Sequence, residues 1–265
     1  MASLALSHVF VVPAYGDSPH LEVCLRSLST QSSPSPIWIS TSTPTSAIRQ
    51  LADRFGATLV EHHSERRGIG VDWNLALTAV PAGWVTLAHQ DDVYLPDFAR
   101  DTKAAMEGAP DASLIMTGYG ELVGESTRQI TSMLVVKRLL QELAFFGLSV
   151  RRSRAAKRRL LMFGCAVPCP SVTMRTPPSW GAFREDLRLN LDWDAWTRAA
   201  DQPGSFVRIK RVSMLHRVHA ESTTTDGVLS GMRAKEDLMM FCRFWPRPIA
   251  TLLAWIYRLS YSAGT

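Results

Sequence analysis

Trp84-Val-Thr-Leu-Ala-His-Gln-Asp-Asp-Val-Tyr-Leu-Pro-Asp97 is the stretch from which the rest of the chain can be read. Trp84 to Ala88 is a short apolar run rich in β-formers, with Gly83 before it and His89, Gln90, Asp91 and Asp92 directly after it. That pattern predicts a buried strand that ends in acid. Adjacent carboxylates at the end of a buried strand are costly unless a cation neutralises them. In open α/β sheets, ligands bind in the crevice beyond the carboxyl ends of the strands. The stretch therefore points to a divalent-metal site for a phosphate-bearing ligand. The plainer alternative is a strand running into a solvated acidic turn, since Asp is a common turn residue.

Outward from this stretch, strands and helices alternate. An apolar run at 8–12 ends in Pro13-Ala14-Tyr15-Gly16-Asp17, and Ser18-Pro19 reads as a helix start that brings Leu21, Cys24, Leu25 and Leu28 onto one face. Short strands are expected at 37–39 and 58–60, with a helix at 47–55 stopped by Gly56. Further helices are expected at 68–80 and 98–106, and a strand at 112–117. This alternation predicts βαβ units and a mostly parallel central sheet flanked by helices, an α/β nucleotide-binding architecture with right-handed crossovers. No Gly-x-Gly-x-x-Gly follows the first strand and no Walker loop occurs, so dinucleotide and P-loop readings lose their support. The second half is less regular. One or two basic helices are expected over 131–159, interrupted near Gly147. A short strand follows within 163–174, then a helix from Leu191 to near Asp201, strands at 205–209 and 212–215, and a helix at 232–244.

The 265 residues carry a net charge of +5, with 46% apolar and 20% charged residues, which suits one large globular unit. Part of the positive charge is local: from Lys137 to Arg159 there are eight Lys and Arg against one acid, Glu142. Such a cluster is either a solvated helix face or a surface for anionic partners. Cys165 and Cys169 lack a second close pair, which argues against zinc, and four Cys in a chain of this size suit a reducing compartment. Without a basic n-region or an apolar run of about eighteen residues, neither a signal peptide nor a membrane span is expected. The expected location is the cytoplasm, including the cytoplasmic face of the membrane. The tail at 244–261 has an apolar centre flanked by Trp, Tyr and Arg, so it is either an interfacial membrane helix or a helix docked on the domain. Nucleic acid is not an expected partner, because the charge excess is modest and no nucleic-acid motif is present.

Four stretches in order, together with a fifth, resemble the inverting family 2 glycosyltransferases of the GT-A fold. They are Val11-Val-Pro-Ala-Tyr15, the helix start from Gly68 to Asn74, His89-Gln-Asp-Asp92, Leu191-Asp-Trp-Asp-Ala-Trp196, and His216-Arg-Val-His-Ala-Glu-Ser-Thr-Thr-Thr225. The resemblance implies a GT-A domain over 1–226, with a nucleotide-binding half at 1–118 and an acceptor-binding half at 119–226. The C-terminal helices at 227–265 would follow it, placed at a membrane surface together with the basic 137–159 region. It implies a nucleotide-sugar donor and a glycan or lipid-linked glycan acceptor. Pro13, Ala14 and Tyr15 would line the base and ribose pocket. Asp72, Asn74, His89, Asp92 and Arg217 would be further nucleotide-sugar contacts. Asp91 and His219 would hold Mn²⁺ or Mg²⁺. Asp192 would be the general base, and Trp193 and Asp194 would shape the acceptor pocket.

Elementary chemistry agrees with this division of labour. A leaving diphosphate needs its charge neutralised, which a carboxylate-held hard cation does. An acceptor hydroxyl needs a base on the opposite face of the sugar, and a carboxylate at a helix start can serve. Asp192 and Asp194 are equally explained as an N-cap and a first-turn acid, and His216 competes with His219. Two positions depart from the family pattern: the second strand runs into Ser40-Thr-Ser-Thr43 with no acid, and His89 stands where the metal motif usually begins with one. A non-catalytic GT-A-like binding domain therefore stays open. So does a sugar-phosphate nucleotidyltransferase, although Pro13 to Asp17 lacks the Gly-rich loop that reading wants.

Overall fold

The apolar runs of the N-terminal half pair side by side, as their lack of polar alternation requires. In the computed structural model, which describes residues 7–219 and 231–262, β1 (His8–Ala14) pairs in parallel with β2 (Ile37–Thr41) on one side and with β4 (Gly83–Leu87) on the other. β3 (Thr58–Glu61) adds to β2 in the same direction. Alternate side chains of β1 leave on opposite faces. Val9 and Val11 join a cluster with Trp73, Trp193 and Trp196, while Phe10 and Val12 join one with Leu21, Leu25 and Phe98. The crossovers are α1 (Leu21–Ser29), α2 (Ser46–Phe55) and α3 (Ile69–Ala79). α2 has both of its ends encoded locally: the Thr45 hydroxyl accepts from the Ile48 amide at 3.2 Å, and Gly56 closes it at φ 61°.

Past β4 the sheet continues through β9 (Val172–Thr176), β6 (Ala112–Val123), β10 (Ser205–Val218) and β5 (Val93–Tyr94), in the order β3-β2-β1-β4-β9-β6-β10-β5. Along this path only β9 and β5 oppose the rest, so the sheet is mostly parallel as expected. β7 (Ser126–Arg128) extends β6, and β8 (Val150–Arg151) pairs with β10. The remaining helices are α4 (Phe98–Gly108), α5 (Ser132–Phe145), α6 (Arg154–Arg159), α7 (Leu191–Ala200), α8 (Met232–Phe241) and α9 (Arg247–Ser262). No helix among the described residues is long and apolar enough to cross a membrane.

Several element boundaries differ from the sequence reading. The first helix starts at Leu21, after a turn in which the Ser18 hydroxyl accepts from the His20 amide. The expected strand at 112–117 runs on to Val123, and the two short strands at 205–215 are one strand interrupted by register shifts between Ile209 and Met214. Lys210-Arg211 looks like a turn in sequence but is a bulge. Gly118 on β6 makes room for it, since a Cβ there would lie 2.7 Å from the Lys210 carbonyl and 2.8 Å from that of Arg211. The helix expected at 232–244 ends at Phe241.

Candidate active site

The site forms where β1 and β4 stop pairing. Their ladder ends at Val11 opposite Leu87, while β1 and β2 stay paired to Ala14 opposite Thr41. β1 leads to β2 on one side and β4 lies on the other, so this is the topological switch point of the parallel half. Beyond it the chain leaves β4 as a turn closed by the Asp92 amide donating to the His89 carbonyl at 3.2 Å. β5 then pairs antiparallel with Met214 and Leu215 of β10. That pairing sets the end of β10 against the acids.

Asp92 is fully buried, and its Oδ1 accepts from His216 Nδ1 at 3.0 Å and from the Arg217 amide at 2.8 Å. The Arg217 guanidinium donates through Nε to the Asp91 carbonyl at 2.8 Å. His219 donates through Nε2 to Asp91 Oδ2 at 3.0 Å. One ligand atom from each of His89, Asp91 and Asp92 lies within 4.8 Å of the others. Two buried atoms of this group, His89 Nε2 and Asp92 Oδ2, have no hydrogen-bond partner. A buried polar atom left without a partner is costly, and a nitrogen and a carboxylate oxygen facing inward suit a hard or borderline cation. Burial holds the His89 imidazole below its ordinary pKa against the pull of Asp92 and Asp91. Burial tends to raise Asp91, but His89 and His219 outweigh it and hold the carboxyl below its usual range. For His216 burial opposes the charged form, and the adjacent Asp92 overcomes it and raises the pKa. His216 is thus bound to Asp92, and His219 rather than His216 reaches Asp91.

The residues expected around the nucleotide separate on inspection. Tyr15 is 60% exposed at the mouth of the crevice. Its loop is held by Gln90, whose side-chain amide accepts from the Tyr15 amide at 3.0 Å and donates to its carbonyl at 3.3 Å. Pro13 is half-buried, while Ala14 is buried against the α1 core, so its side chain does not line the crevice as expected. Asp72, in the first turn of α3, accepts from the Ser42 hydroxyl at 2.7 Å, so a carboxylate stands at the end of β2 although β2 carries none. Both ends of the Asn74 amide are engaged by the backbone of Phe183, at 2.9 and 2.8 Å, which clamps that loop to α3. Arg217 holds the acidic turn through its amide and guanidinium. Asp92 is buried in that turn and anchors the end of β10 through His216 and the Arg217 amide.

The expected acceptor pocket residues are also relocated. Trp193 is fully buried; its indole N–H donates to the Leu161 carbonyl at 3.0 Å and its ring packs edge-on against Phe241. Asp194 is fully buried among Arg198 at 2.7 Å, Arg243 at 2.7 Å and Arg184 at 3.8 Å. Both side chains build the core beneath α7 instead of lining an open pocket. Asp192, just before them, is the half-buried acid of this helix start. Its Oδ1 accepts from the Trp193 amide at 2.7 Å, and the Cys165 thiol approaches Oδ2 at 3.7 Å. Burial pushes its carboxyl above the usual range, partly offset by the Trp193 amide and the charges of Arg233, Lys137 and His89. Ring contacts join this helix start to the acidic turn: Trp73 packs on both His89 and Phe183, and Phe183 on Trp196 of α7.

Four residues that support this geometry carry no local signal in the sequence. Gly70 lets α3 approach the segment before α7; a Cβ there would lie 2.7 Å from the Arg184 carbonyl. Glu236 on α8 accepts from the amides of Arg188, Leu189 and Asn190 at 2.9, 3.0 and 2.9 Å, and so caps the start of α7 from outside. Lys137 on α5 and Arg233 on α8 bring positive charge to Asp192.

A mixed α/β sheet with an acidic turn at its switch point and a second acid on a facing helix defines a GT-A glycosyltransferase fold. The chain belongs to glycosyl transferase family 2, whose model matches residues 9–175. Similar solved structures include S. aureus TarS 1–349 in complex with UDP-GlcNAc, at TM-score 0.65 and 14% identity over 94% of this chain and 70% of that one. The mannosyltransferase PcManGT from Pyrobaculum calidifontis, in complex with GDP-Man and Mn²⁺, reaches TM-score 0.63 at 16% identity over 97% and 75%. Glucosyl-3-phosphoglycerate synthase from Mycobacterium tuberculosis, with Mn²⁺, UDP and glucosyl-3-phosphoglycerate, reaches 0.51 at 16% identity over 85% and 76%. At these identities the likeness is one of fold. No curated protein matches the chain.

Proposed function

We propose that this glycosyltransferase moves a sugar from a nucleotide-diphosphate sugar to a hydroxyl of a glycan or lipid-linked glycan, by a metal-dependent single displacement with inversion. The observation that carries the reading is the inward-facing group His89, Asp91 and Asp92, with two buried atoms lacking partners, joined through Trp73 and Phe183 to the helix that carries Asp192. Mn²⁺ or Mg²⁺ would be held by Asp91 and His89, with His219 closing from the C-terminal side, and when bound it would neutralise charge on the leaving diphosphate. Tyr15 offers its exposed ring to the nucleobase, and Asp72 supplies at the end of β2 the acid that β2 lacks. Asp192 takes the proton from the acceptor hydroxyl, and its raised pKa suits it to hold that proton.

The test is transfer and hydrolysis over a panel of nucleotide sugars with Mn²⁺, Mg²⁺ or chelator, with product anomers identified by NMR. Asp91→Asn should abolish metal-dependent nucleotide binding and lower activity by about 10²-fold or more. A wild-type protein that binds no nucleotide diphosphate in the presence of either metal would refute the reading. Binding with no turnover of any donor, unchanged by Asp192→Asn, would favour a non-catalytic binding domain, the alternative that His89 and the acid-free end of β2 keep open.

A further inference from the structure

The outer face of α5 has no counterpart in the chemistry above. Val135, Val136, Leu139, Leu143 and Phe146 are 50, 51, 57, 51 and 64% exposed. At 100° per residue the four within α5 fall in an arc of about 100°, an apolar stripe along one side of the helix, and Phe146 directly follows its last turn. Ile130 before the helix and Leu148 after it are 80 and 55% exposed. Phe146 sits in the left-handed region at φ 45°, a conformation that side chains other than Gly rarely adopt, with its ring turned outward. Above that ring lie the guanidiniums of Arg151 and Arg159, at 5.5 and 5.0 Å from its centroid. Among the described residues neither arginine has an acidic partner, whereas Arg152, Arg154 and Arg158 of the same basic run are paired with Asp111 and Asp201. The second exposed apolar face belongs to α9, where Ile249, Leu252, Trp255 and Ile256 are 43 to 57% exposed. The inner sides of both helices enter one buried cluster, through Ala144 and Phe145 of α5 and Ala250 of α9.

We infer that the apolar stripe of α5, with its arginine rim, is a docking surface for an anionic lipid membrane, with the exposed face of α9 as a second contact. Exposed apolar stripes of this size mark interaction sites, and an apolar face edged by cations matches the boundary between acyl chains and anionic headgroups. A second copy of the chain fits the charge less well, because a two-fold contact would bring the Arg151 and Arg159 rims of the two copies together. The placement also gives the surface a use. The inner side of α5 packs into the same buried cluster as Leu191 and Trp193, the neighbours of Asp192, so the lipid face lies on the far side of a helix about 10 Å across. An acceptor anchored in the bilayer would enter the cleft from its edge; this clause rests on the glycosyl-transfer reading, but the docking itself does not.

The experiment is co-sedimentation of the full chain with phosphatidylcholine vesicles and with phosphatidylcholine–phosphatidylglycerol vesicles, at low and high salt. The chain should pellet with the mixed vesicles, less so at high salt, and only weakly with phosphatidylcholine alone. Leu139→Ser/Leu143→Ser should lower vesicle affinity by about tenfold or more, and Arg151→Gln/Arg159→Gln should remove the preference for the anionic lipid. All four positions lie outside the core, and retained nucleotide binding and circular dichroism check the fold separately. Loss of nucleotide binding in the wild type would overturn the enzyme reading without touching this one. Wild-type protein that fails to pellet with anionic vesicles overturns the inference. So does equal pelleting of the Leu139→Ser/Leu143→Ser variant, or a dimer that this variant dissociates in the absence of vesicle binding.

Discussion

Asp194→Asn distinguishes two roles for one acid. If Asp194 shaped the acceptor pocket, the substitution would lower turnover and leave stability alone. In the structure its carboxylate is fully buried on α7 and faces Arg198, Arg243 and Arg184 at 2.7, 2.7 and 3.8 Å. Removing one side of a buried ion pair costs about 3–5 kcal/mol, because the remaining charge loses its compensation. The three arginine side chains are 28, 30 and 34% exposed, so water recovers part of their charge and the lower end, about 3 kcal/mol, applies. For a chain of this length each kcal/mol moves the melting midpoint by about 2–4 °C, which predicts a fall of about 6–12 °C. Arg243 follows α8 and precedes α9, so the loss should also make the α8–α9 junction more sensitive to protease than the rest of the chain. Scanning calorimetry of wild type and variant measures the shift, and transfer assayed well below both midpoints measures the activity. A midpoint within about 2 °C of wild type together with lost activity would refute the structural assignment and return Asp194 to the acceptor pocket.

Three further outcomes follow from the same geometry. Asp192→Asn should lower kcat by about 10²–10⁴-fold. Because burial raises the folded-state pKa of Asp192, the native state binds its proton more tightly than the unfolded chain, and stability falls as pH rises from the ordinary carboxylate pKa through the raised one. The Asn variant escapes that loss, so its melting midpoint at neutral pH should match or exceed wild type, and the acid limb of the kcat/KM profile, displaced upward from the usual carboxylate range, should disappear; a profile unchanged by Asn excludes Asp192 as the base. Asn74→Ala should destabilise by about 1–3 kcal/mol through the two Phe183 backbone groups it leaves unpaired, with the affinity for nucleoside diphosphate unchanged by calorimetric titration; a selective loss of that affinity would make Asn74 a ligand contact after all. Glu236→Gln, which weakens the external cap on α7, should lower kcat in wild type but add little in the Asp192→Asn background, since it acts through the placement of that acid; additive losses would show a separate role.

The parallel half was legible because its information is local. Val9 to Val12 and Trp84 to Ala88 are uninterrupted apolar runs, Gly56 and Thr45 punctuate α2, and the alternation of short strands with helices leaves few topologies. The acidic turn was legible for the same reason, since a strand that ends in two carboxylates is unusual within a few residues. What the sequence does not show locally is the packing of side chains whose surroundings are set by elements far away in sequence. Asp194 and Trp193 sit beside Asp192 in an acidic helix start, and nothing in Leu191-Asp-Trp-Asp-Ala-Trp196 shows which of them face the cleft. That is decided by Phe241, Arg243 and Glu236 from α8 and its end. Asn74 likewise reads as a polar residue near a ligand, until the loop at Phe183 closes on it. The Lys210-Arg211 bulge cost a strand assignment because its partner is Gly118, more than ninety positions earlier.

The two departures from the family pattern yield to the same long-range view. A strand end without an acid suggests lost nucleotide recognition only if recognition must come from that strand. Ser42 is instead hydrogen-bonded to Asp72 of α3, and α3 can come so close to the segment before α7 because Gly70 has no side chain to collide with the Arg184 carbonyl. At His89 the imidazole leans on Trp73 of the same helix with ring centres 5.0 Å apart, while its Nε2 stays buried without a partner. A neutral imidazole replaces a carboxylate as a ligand at the cost of one negative charge, which weakens attraction for a hard cation and shifts preference toward metals that accept nitrogen. His89→Asp restores that charge. It should therefore raise affinity for Mg²⁺ more than for Mn²⁺, measured by titration of each metal in the presence of a nucleoside diphosphate. Equal changes for the two metals would mean that His89 shapes the turn without touching the ion.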